Sequence, residues 1–471
     1  MDLDRFRQEA KSLADWMADY LATIESRPVR AQTAPGAIAA QLPLGPPAGP
    51  EDFAAILADF ERIVMPGITH WQHPRFFAYF PANSSPPSVL AEMLTAAIAA
   101  QCMLWQTSPA ATEMETRILD WLAQMLGLGP GWHGVIQDSA SSATLAAVLT
   151  ARERATGWRA NEEGLGGLPP LAVYTSEEGH SSVEKAVRIA GLGRRALRLI
   201  ATDETFAMRP EALQAQILRD IASGIKPACI VATLGTTGTG GIDQLAAIGA
   251  IARAHDIYVH VDAAWAGSAL ILPEWRWMIH GIGNADSFVT NPHKWLGVNF
   301  DCSAHFVRRP EELIRTLTVN PAYLTGQETG QVIDYRDWGI PLGRRFRALK
   351  LWFVIRSFGV DGLQAMLRRH IDLTGDLAGW IEAEPDFTLA SPPSLALLSF
   401  RYRPAGVEDE AALDALNAEL LRRINDDGRI YLTQNRVRGR YAIRFSIGQT
   451  TTERRHVEEG WAVVRELAQT L

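Results

Sequence analysis

The stretch NPHKW at positions 291–295 decides how this chain is interpreted. It follows the apolar run 287–290, which is typical of a buried strand, so Lys294 stands on a short turn at the end of a strand. A lysine in this position is a candidate nucleophile that forms an imine with a carbonyl group. A lysine taken alone is more often a solvated surface charge, so the interpretation needs a second residue.

That second residue is Asp262, which lies 294 − 262 = 32 positions upstream at the end of the apolar run 258–261. An aspartate after a strand is commonly a helix N-cap, but it can also hold a cationic ring nitrogen. The two residues together predict a pyridoxal phosphate site. The cofactor needs a lysine amine for its aldehyde and a carboxylate that keeps its pyridine nitrogen protonated.

Length and composition restrict the class of protein. A chain of 471 residues with 47 % hydrophobic and 21 % charged residues predicts a soluble globular protein of two or three domains. The net charge of −8 and the lack of a basic run argue against a nucleic-acid partner. Cys102, Cys229 and Cys302 are too far apart for a CxxC pair and are expected in the core. Charges interrupt the N-terminal apolar residues, which predicts a cytoplasmic protein without a signal peptide or membrane span.

The order of sequence patterns predicts an α/β fold. Amphipathic helices are expected at 3–24 and 53–64, joined by a Pro/Gly-rich connection at 28–50, and this arm is expected to pack on a second copy of the chain. Alternating strands and helices follow, which indicates a mostly parallel sheet with helices on both faces. The predicted segments are a helical arm at 1–84, a large cofactor-binding domain at 85–355 and a small C-terminal α/β domain at 356–471.

Individual elements are predicted from apolar runs and helix-capping patterns. Thr112 with Glu115 and Ser181 with Glu184 match the capping box, and Gly127 is expected to close a helix. The predicted strands are 171–175, 196–200, 228–233, 258–261, 287–290, 395–402 and 441–447.

Loops after the predicted strands supply candidate partners for the lysine. Ser139, Ala140 and Ser141 precede a helix predicted at 144–154, where they could hold a phosphate or simply cap the helix. His180 also follows a strand, and its ring could stack on a pyridine ring or bond to a turn. The histidines lack the spacing of a zinc site, so no metal is predicted.

These residues belong to longer runs by which the chain resembles the aromatic-L-amino-acid decarboxylases, the group II pyridoxal-phosphate decarboxylases that also include histidine and tyrosine decarboxylases. The resemblance implies the aspartate aminotransferase-like architecture, fold type I. The runs that carry it are THWQHPRFFAYFP (69–81), SPAATEMET (108–116), VIQDSAS (135–141), HSSVEKA (180–186), HVDAAWAGSA (260–269), NPHKWLGVNFDCSA (291–304) and PLGRRFRALKLWF (341–353).

The resemblance implies roles for single residues. Lys294 would be the Schiff-base lysine, Asp262 the partner of the pyridinium nitrogen and His180 the stacking histidine. Tyr323, in a mobile catalytic loop at about 320–333, would protonate Cα after carbon dioxide leaves. The remaining cofactor-binding positions would be Ser139, Ala140, Ser141, Thr237, Ala264, Asn291 and His293.

The resemblance also implies a substrate pocket shared between two subunits of a homodimer. Gly343 would leave a wide slot for an aromatic ring, so the expected substrate is tryptophan, phenylalanine, tyrosine or dopa. Gln101 and Met103 make the pocket rim more polar and pliable than is usual in the family. The pocket positions are Trp71, Tyr79, Phe80 and Pro81 from one subunit, Gln101, Met103 and Leu342 from the other, and Gly343.

Other activities remain open at this point. An aldehyde synthase would form an aldehyde, ammonia and peroxide, but relatives of that type tend to lose the loop tyrosine or the stacking histidine, and both are kept here. Histidine decarboxylases tend to carry serine at the position of Gly343. A noncatalytic homologue would be expected to lose Lys294 or Asp262. An aminotransferase shares the fold but not the motifs along the whole chain.

Overall fold

The computed structural model describes residues 1–319 and 332–471, which contacts group into two compact units. The small unit contains Met1–Pro81, Asp376–Ala390 and Ser399–Leu471, and the large unit contains Ala82–Gly375 and Ser391–Leu398. The N-terminal segment thus shares a unit with the C-terminal segment, and the division into a helical arm, a large domain and a small C-terminal domain stays a prediction. The packing of the arm on a partner subunit stays a prediction.

The described chain contains eleven strands and fourteen α-helices. The strands are β1 His133–Gln137, β2 Leu171–Ser176, β3 Leu197–Ile200, β4 Lys226–Thr233, β5 Tyr258–Asp262, β6 Ser287–Thr290, β7 Ser303–Val307, β8 Phe387–Ser394, β9 Leu397–Tyr402, β10 Thr433–Val437 and β11 Arg440–Ser446. The helices are α1 Leu3–Ala22, α2 Phe53–Asp59, α3 Pro86–Ile98, α4 Pro109–Leu126, α5 Ala140–Ala155, α6 Ala160–Glu163, α7 Ser181–Ile189, α8 Pro210–Ala222, α9 Leu245–Ala254, α10 Pro292–Trp295, α11 Pro310–Leu317, α12 Arg347–Glu382, α13 Glu410–Asp427 and α14 Arg454–Ala468.

Seven strands form the sheet of the large unit in the order β1-β7-β6-β5-β4-β2-β3. Strand β7 is antiparallel to both of its neighbours, and all other pairs are parallel, so six strands run in one direction. Every residue of β4 after Lys226 is buried, which requires cover on both faces of the sheet. Cys229 and Val231 pack with residues of α5 and α7 on one face. The mostly parallel α/β architecture of fold type I is confirmed.

Both capping boxes predicted from sequence are wrong. Helix α4 begins earlier, with Ser108 as its N-cap, so Thr112 and Glu115 lie inside the helix. Helix α7 begins at Ser181, but its cap is the preceding His180, whose ring accepts from the Ser182 N–H. The pattern was misleading because Ser/Thr-x-x-Glu also occurs within helices, where the glutamate serves another contact. The closing role of Gly127 is confirmed by its left-handed φ of 72°.

The second sheet has the strand order β10-β11-β9-β8 and lies mostly in the small unit, but the end of β8, the turn after it and the start of β9 (Ser391–Leu398) group with the large unit. Helix α1 has no buried residue, while α13 and α14 bury one face each. Helix α12 is interrupted at Gly359, where φ is 63°. Within 1–319 and 332–471, no helix combines the length and the apolar character needed to cross a bilayer.

Candidate active site

The carboxyl ends of the six co-directional strands lie along one edge of the large sheet. Loops that leave this edge carry the sequence-predicted residues: Ser139 after β1, His180 after β2, Thr237 after β4, Asp262 at the end of β5 and Lys294 after β6. Asp262 pairs with Thr233 of β4 and with Val289 of β6, so it lies between the strands that lead to Thr237 and Lys294. Ligands of parallel sheets bind at this edge.

The turn that presents Lys294 is fixed by buried hydrogen bonds to its backbone. The Asn83 side chain donates from Nδ2 to the Lys294 carbonyl at 2.7 Å, and the Asn83 N–H donates to the His293 carbonyl at 3.2 Å. Asn291 occupies the N-cap position of the short helix α10 without a capping bond from its side chain, and its Oδ1 accepts from the Ser303 hydroxyl at 2.6 Å. The lysine side chain itself is half-buried. The backbone is therefore held in place, while the side chain keeps access to the edge of the sheet.

His293 is neutral at physiological pH. Burial, followed by the nearby Lys294 charge, lowers its pKa to about 3. Its Nδ1 accepts from the Cys302 N–H at 2.9 Å, which assigns the proton of the neutral ring to Nε2. His293 thus adds a polar N–H group next to Lys294 without adding a second positive charge.

His180 lies within the electrostatic reach of both Asp262 and Lys294. Burial lowers the pKa of His180 most strongly, the Asp262 carboxylate raises it, and the charges of Lys294 and Lys185 lower it. The ring Nδ1 accepts from the Ser182 N–H at 3.2 Å and lies 2.8 Å from the Ser182 hydroxyl. The Ser182 N–H can only donate, so Nδ1 is an acceptor and Nε2 carries the proton of the neutral ring. These two bonds fix the orientation of the ring.

Asp262 is 5 % exposed, and its Oδ1 accepts from the Ala264 N–H at 3.1 Å. A buried carboxylate needs such donors or a positive partner, because desolvation penalises its charged form. Within reach of His180 and Lys294, Asp262 is therefore suited to face a cationic group on a ligand.

A helix N-terminus at this edge is a candidate anion site. Ser139 is the N-cap of the 16-residue helix α5, and its hydroxyl accepts from the Ser142 N–H at 3.2 Å. The capping role and the anion-binding role do not exclude each other, since Ser139 engages only one of the N–H groups in the first turn. Ser141 is exposed at the same end. The positive end of the helix dipole favours a phosphate there.

The loop after β4 is held close to Asp262. Gly235 has a φ of 79°, and a Cβ there would lie 2.5 Å from the Cβ of Ala266, so only glycine fits. The indole of Trp265 donates to the Gly235 carbonyl at 2.7 Å. Thr237 lies exposed beyond this contact, and Ala264 is half-buried beside Asp262. The hydrogen-bond donors, the helix end and the buried carboxylate of Asp262 fit a phosphorylated pyridine cofactor.

The sequence-predicted pocket residues divide between the two units. In the small unit, Trp71 stacks on Phe76 at 4.5 Å and on Tyr79 at 5.6 Å between ring centroids. Phe80 is buried and Pro81 follows it, whereas Trp71 and Tyr79 stay more than a third exposed. In the large unit, Gln101, Leu342 and Gly343 are exposed and Met103 is half-buried. Tyr323 lies outside the described residues.

Sequence reasoning missed the residues that support the site from a distance. Asn83 was not singled out, yet it bonds to the backbone of His293 and Lys294. Glu115 and Arg344 form a buried ion pair at 2.6 Å, and Glu115 also accepts from the Ile136 N–H at 2.8 Å just before the anion site. A buried acidic residue inside an apolar helix stripe was the only sequence signal available for this pair.

The sheet and the loops at its carboxyl edge define a pyridoxal-phosphate protein of fold type I. The conserved domain of pyridoxal-dependent decarboxylases matches residues 35–403, and the chain belongs to this family. It is 44 % identical over 483 residues to an aromatic-L-amino-acid decarboxylase of Sus scrofa, covering 99 % of this chain and 97 % of the relative.

Two further relatives carry different names. A phenylacetaldehyde synthase of Arabidopsis thaliana is 40 % identical over 479 residues, which covers 99 % of this chain and 96 % of the relative. A crystal structure of Oryza sativa TDC with PLP and tryptamine superposes with a TM-score of 0.97 at 34 % identity, covering 100 % of this chain and 99 % of the other. The fold is shared over the full length of the chain. The names of the relatives differ in the reaction, because one is a decarboxylase and another is an aldehyde synthase.

Proposed function

We propose that this protein decarboxylates an aromatic L-amino acid, such as tryptophan, phenylalanine, tyrosine or dopa, to the corresponding arylalkylamine and carbon dioxide, with pyridoxal phosphate as cofactor. The observation that carries the proposal is the meeting of Lys294, Asp262 and His180 at one edge of the sheet. Membership of the pyridoxal-dependent decarboxylases supports the reaction class, and the names of the relatives support an aromatic substrate.

The residues at this edge divide the work of binding the cofactor. When bound, pyridoxal phosphate supplies an aldehyde carbon that bonds to amines and a cationic ring that accepts the electron pair of a breaking bond. Lys294 would hold the aldehyde end, Asp262 would accept a charge-assisted hydrogen bond from the ring nitrogen, and His180 would stack on the ring. The phosphate would lie at the start of α5. The residues that would complete the site are Ser139, Ala140, Ser141, Thr237, Ala264, Asn291 and His293.

The contribution of Asp262 follows from its burial. A hydrogen bond to a charged group stabilises by about 1.5–3 kcal/mol, more than a neutral one does. The Ala264 N–H holds one carboxylate oxygen, which orients the group and leaves the second oxygen for a cationic partner. We therefore expect Asp262→Ala to fold, to bind the cofactor weakly and to turn over substrate very slowly.

The substrate side of the site is proposed from the stacked aromatic residues and the loop tyrosine. Trp71, Tyr79, Phe80 and Pro81 would contact the aromatic ring of the substrate, and Tyr323 would protonate Cα after carbon dioxide leaves. Both roles rest on the resemblance to the family. The stacking of Trp71 and Tyr79 supports a flat apolar wall, because aromatic rings pack well on one another.

We propose that the active form is a homodimer with shared active sites. On α3 the large side chains Leu90, Met93, Leu94 and Ile98 recur at helical spacing and are each at least 40 % exposed. A continuous apolar helix face of this kind is typical of an interface. We expect sedimentation equilibrium to give a dimer, and Leu94→Glu, which places a charge on that face, to weaken it. The three free, buried cysteines support a reducing location such as the cytoplasm.

The function is tested by product analysis. The protein with added pyridoxal phosphate is incubated separately with the twenty amino acids and dopa, and amines, carbon dioxide, peroxide and keto acids are measured. We expect an arylalkylamine in equal amount to carbon dioxide. Peroxide in proportion to carbon dioxide would instead indicate an aldehyde synthase, and histamine would indicate a histidine decarboxylase. A keto acid as the main product would refute decarboxylation.

The role of Lys294 is tested independently of turnover. Borohydride reduction followed by peptide mass spectrometry identifies the lysine to which the cofactor is fixed. The chain has five lysines, so the assignment is direct: Lys294→Ala should abolish labelling and activity. Lys226→Ala removes an exposed lysine that bonds to the Ala155 carbonyl and serves as the matched control, which should keep both. Labelling that persists in Lys294→Ala would contradict the assignment.

A further inference from the structure

A buried histidine lies where strand β5 meets helix α5. His260 is two residues before Asp262 on β5, and both side chains are buried. Successive side chains of a strand point to opposite faces, so His260 and Asp262 project from the same face of the sheet. Tyr258, two residues earlier again, packs with Ala147 and Ala151 of α5, which identifies this face as the one that α5 covers. The ring of His260 is therefore directed towards α5.

The two ring nitrogens of His260 contact two different elements. Nδ1 lies 2.7 Å from the hydroxyl of Ser287, its register partner on β6, and Nε2 lies 3.4 Å from the hydroxyl of Thr144 on α5. All three side chains are fully buried. Burial, followed by the neighbouring His305, holds the pKa of His260 well below its usual value, so the ring is neutral. A neutral ring has one donor and one acceptor nitrogen, and each of the two hydroxyls can serve either nitrogen.

The elements that His260 joins carry different parts of the candidate active site. Helix α5 begins at the candidate anion site, β5 ends at Asp262, and β6 leads to Lys294. Apolar packing also joins these elements, since Val289 of β6 packs with Ala140 at the start of α5. Apolar contacts are not directional, whereas a hydrogen bond fixes both distance and direction. The contacts of the His260 ring are thus suited to set the spacing between the start of α5 and Asp262.

We propose that His260 is a positioning residue that sets the distance between the anion site at the start of α5 and the carboxylate of Asp262. Pyridoxal phosphate has to reach both points at once, with its phosphate and its ring nitrogen. A ligand that binds at two linked points gains affinity from the second point only when its length matches their spacing. His260 therefore acts on the affinity for the whole cofactor and not on either contact taken singly. This inference rests on the cofactor site of the proposed function and not on which amino acid is decarboxylated.

The spacing is measured with ligands that use one or both points. The full-length protein is freed of cofactor and titrated with pyridoxal phosphate and with pyridoxal, which lacks the phosphate, and the ratio of the two dissociation constants is taken. Thr144→Val removes the hydroxyl that His260 contacts, and we expect the preference for pyridoxal phosphate to fall about 2- to 10-fold, the range for one hydrogen bond. Thr150→Val is the matched control in the same helix. It removes a hydroxyl that donates to the Ala146 carbonyl at 2.9 Å, so the wild-type ratio should be kept.

Inorganic phosphate separates a change of spacing from damage to the anion site. As a competitor of pyridoxal phosphate it occupies only the start of α5, so its affinity should be the same in the wild-type protein and in Thr144→Val. A loss of phosphate affinity as large as the change in the ratio would show that the substitution harms the anion site itself, and would overturn the proposal. A merely structural defect would weaken pyridoxal and pyridoxal phosphate equally, and the unchanged ratio would overturn it too.

Two amide substitutions divide the contacts of the ring. The amide of asparagine lies close to the place of Nδ1 and that of glutamine close to the place of Nε2, so His260→Asn keeps a partner for Ser287 and His260→Gln keeps one for Thr144. We expect His260→Asn to lower the ratio, with no further effect in the Thr144→Val background because both changes remove the same contact. His260→Gln should stay closer to the wild-type ratio, and the reverse order would overturn the proposal. Equal affinity of the wild-type protein for the two ligands would instead refute the anion site of the proposed function, and the inference with it.

Discussion

A buried histidine gives a quantitative test of how the core of the sheet responds to pH. His305 lies in the middle of β7, is fully buried and meets His260 edge to face at 5.9 Å between ring centroids. Neither ring nitrogen has a hydrogen-bond partner among residues 1–319 and 332–471. Burial therefore penalises the charged ring and lowers the pKa of His305 to about 4. The perturbation is His305→Leu, which removes the titrating group and two unsatisfied polar atoms.

The direction of the effect follows from the two pKa values. The unfolded chain takes up the proton at a pKa of about 6.5, and the folded chain only at about 4. Between these values the unfolded state binds more protons, so the free energy of unfolding falls as the pH falls from 6.5 towards 4. The shift corresponds to a loss of about 2 kcal/mol between pH 7 and pH 5 from this one residue.

The assay is urea unfolding at pH 7 and pH 5, at a fixed protein and cofactor concentration. The wild-type protein should lose about 2 kcal/mol more than His305→Leu over this interval. His133→Leu removes an exposed histidine from the edge strand β1 and controls for the loss of one imidazole. At pH 7 we expect His305→Leu to be near neutral or stabilising, because it removes unsatisfied buried groups. An equal loss of stability in wild type and His305→Leu would refute the reasoning.

Two substitutions near the candidate active site carry further predictions. Asn83→Ala leaves the Lys294 carbonyl without its 2.7 Å donor, so we expect the free energy of unfolding to fall by about 1–3 kcal/mol. We also expect borohydride to fix less cofactor to Lys294. Unchanged values in both measurements would show that Asn83 does not support this turn. Gly235→Ala would place a Cβ against Ala266 and should lower the melting temperature and weaken cofactor binding by dialysis, while Gly166→Ala, with open space around it, should change neither.

The strands of the large sheet differ in how far sequence predicts them. Strand β6 was predicted with its observed bounds, and β2, β4 and β5 to within two residues, because each is a continuous apolar run buried on both faces. Strands β1 and β7 were not predicted. His305 interrupts the apolar pattern of β7, and β1 begins with an exposed histidine and a half-buried glycine at the sheet edge. Strand β10 reads TQNRV and is polar at most positions, so it gave no hydrophobic signal.

The candidate site shows a similar division. Residues in loops after apolar strands could be found from sequence, because the parallel sheet brings such loops to one edge. Asn83 could not, since it reaches the Lys294 turn from 211 positions away and acts on a backbone carbonyl, which leaves no pattern. The ion pair of Glu115 could not be predicted either, because its partner Arg344 is 229 positions away and only the folded chain brings the two charges together. The local pattern therefore led to a capping role for Glu115.

The positions of these groups separate chemistry from selection of the substrate. Lys294, Asp262 and His180 lie at or just after the ends of strands of one sheet, so a single subunit holds these residues, which are proposed to bind the cofactor. Gln101 instead lies beside the exposed apolar face of α3, where a second subunit is proposed to dock. If dimer formation also completes the substrate pocket, substrate preference should depend on assembly, although each subunit alone holds the residues proposed to bind the cofactor.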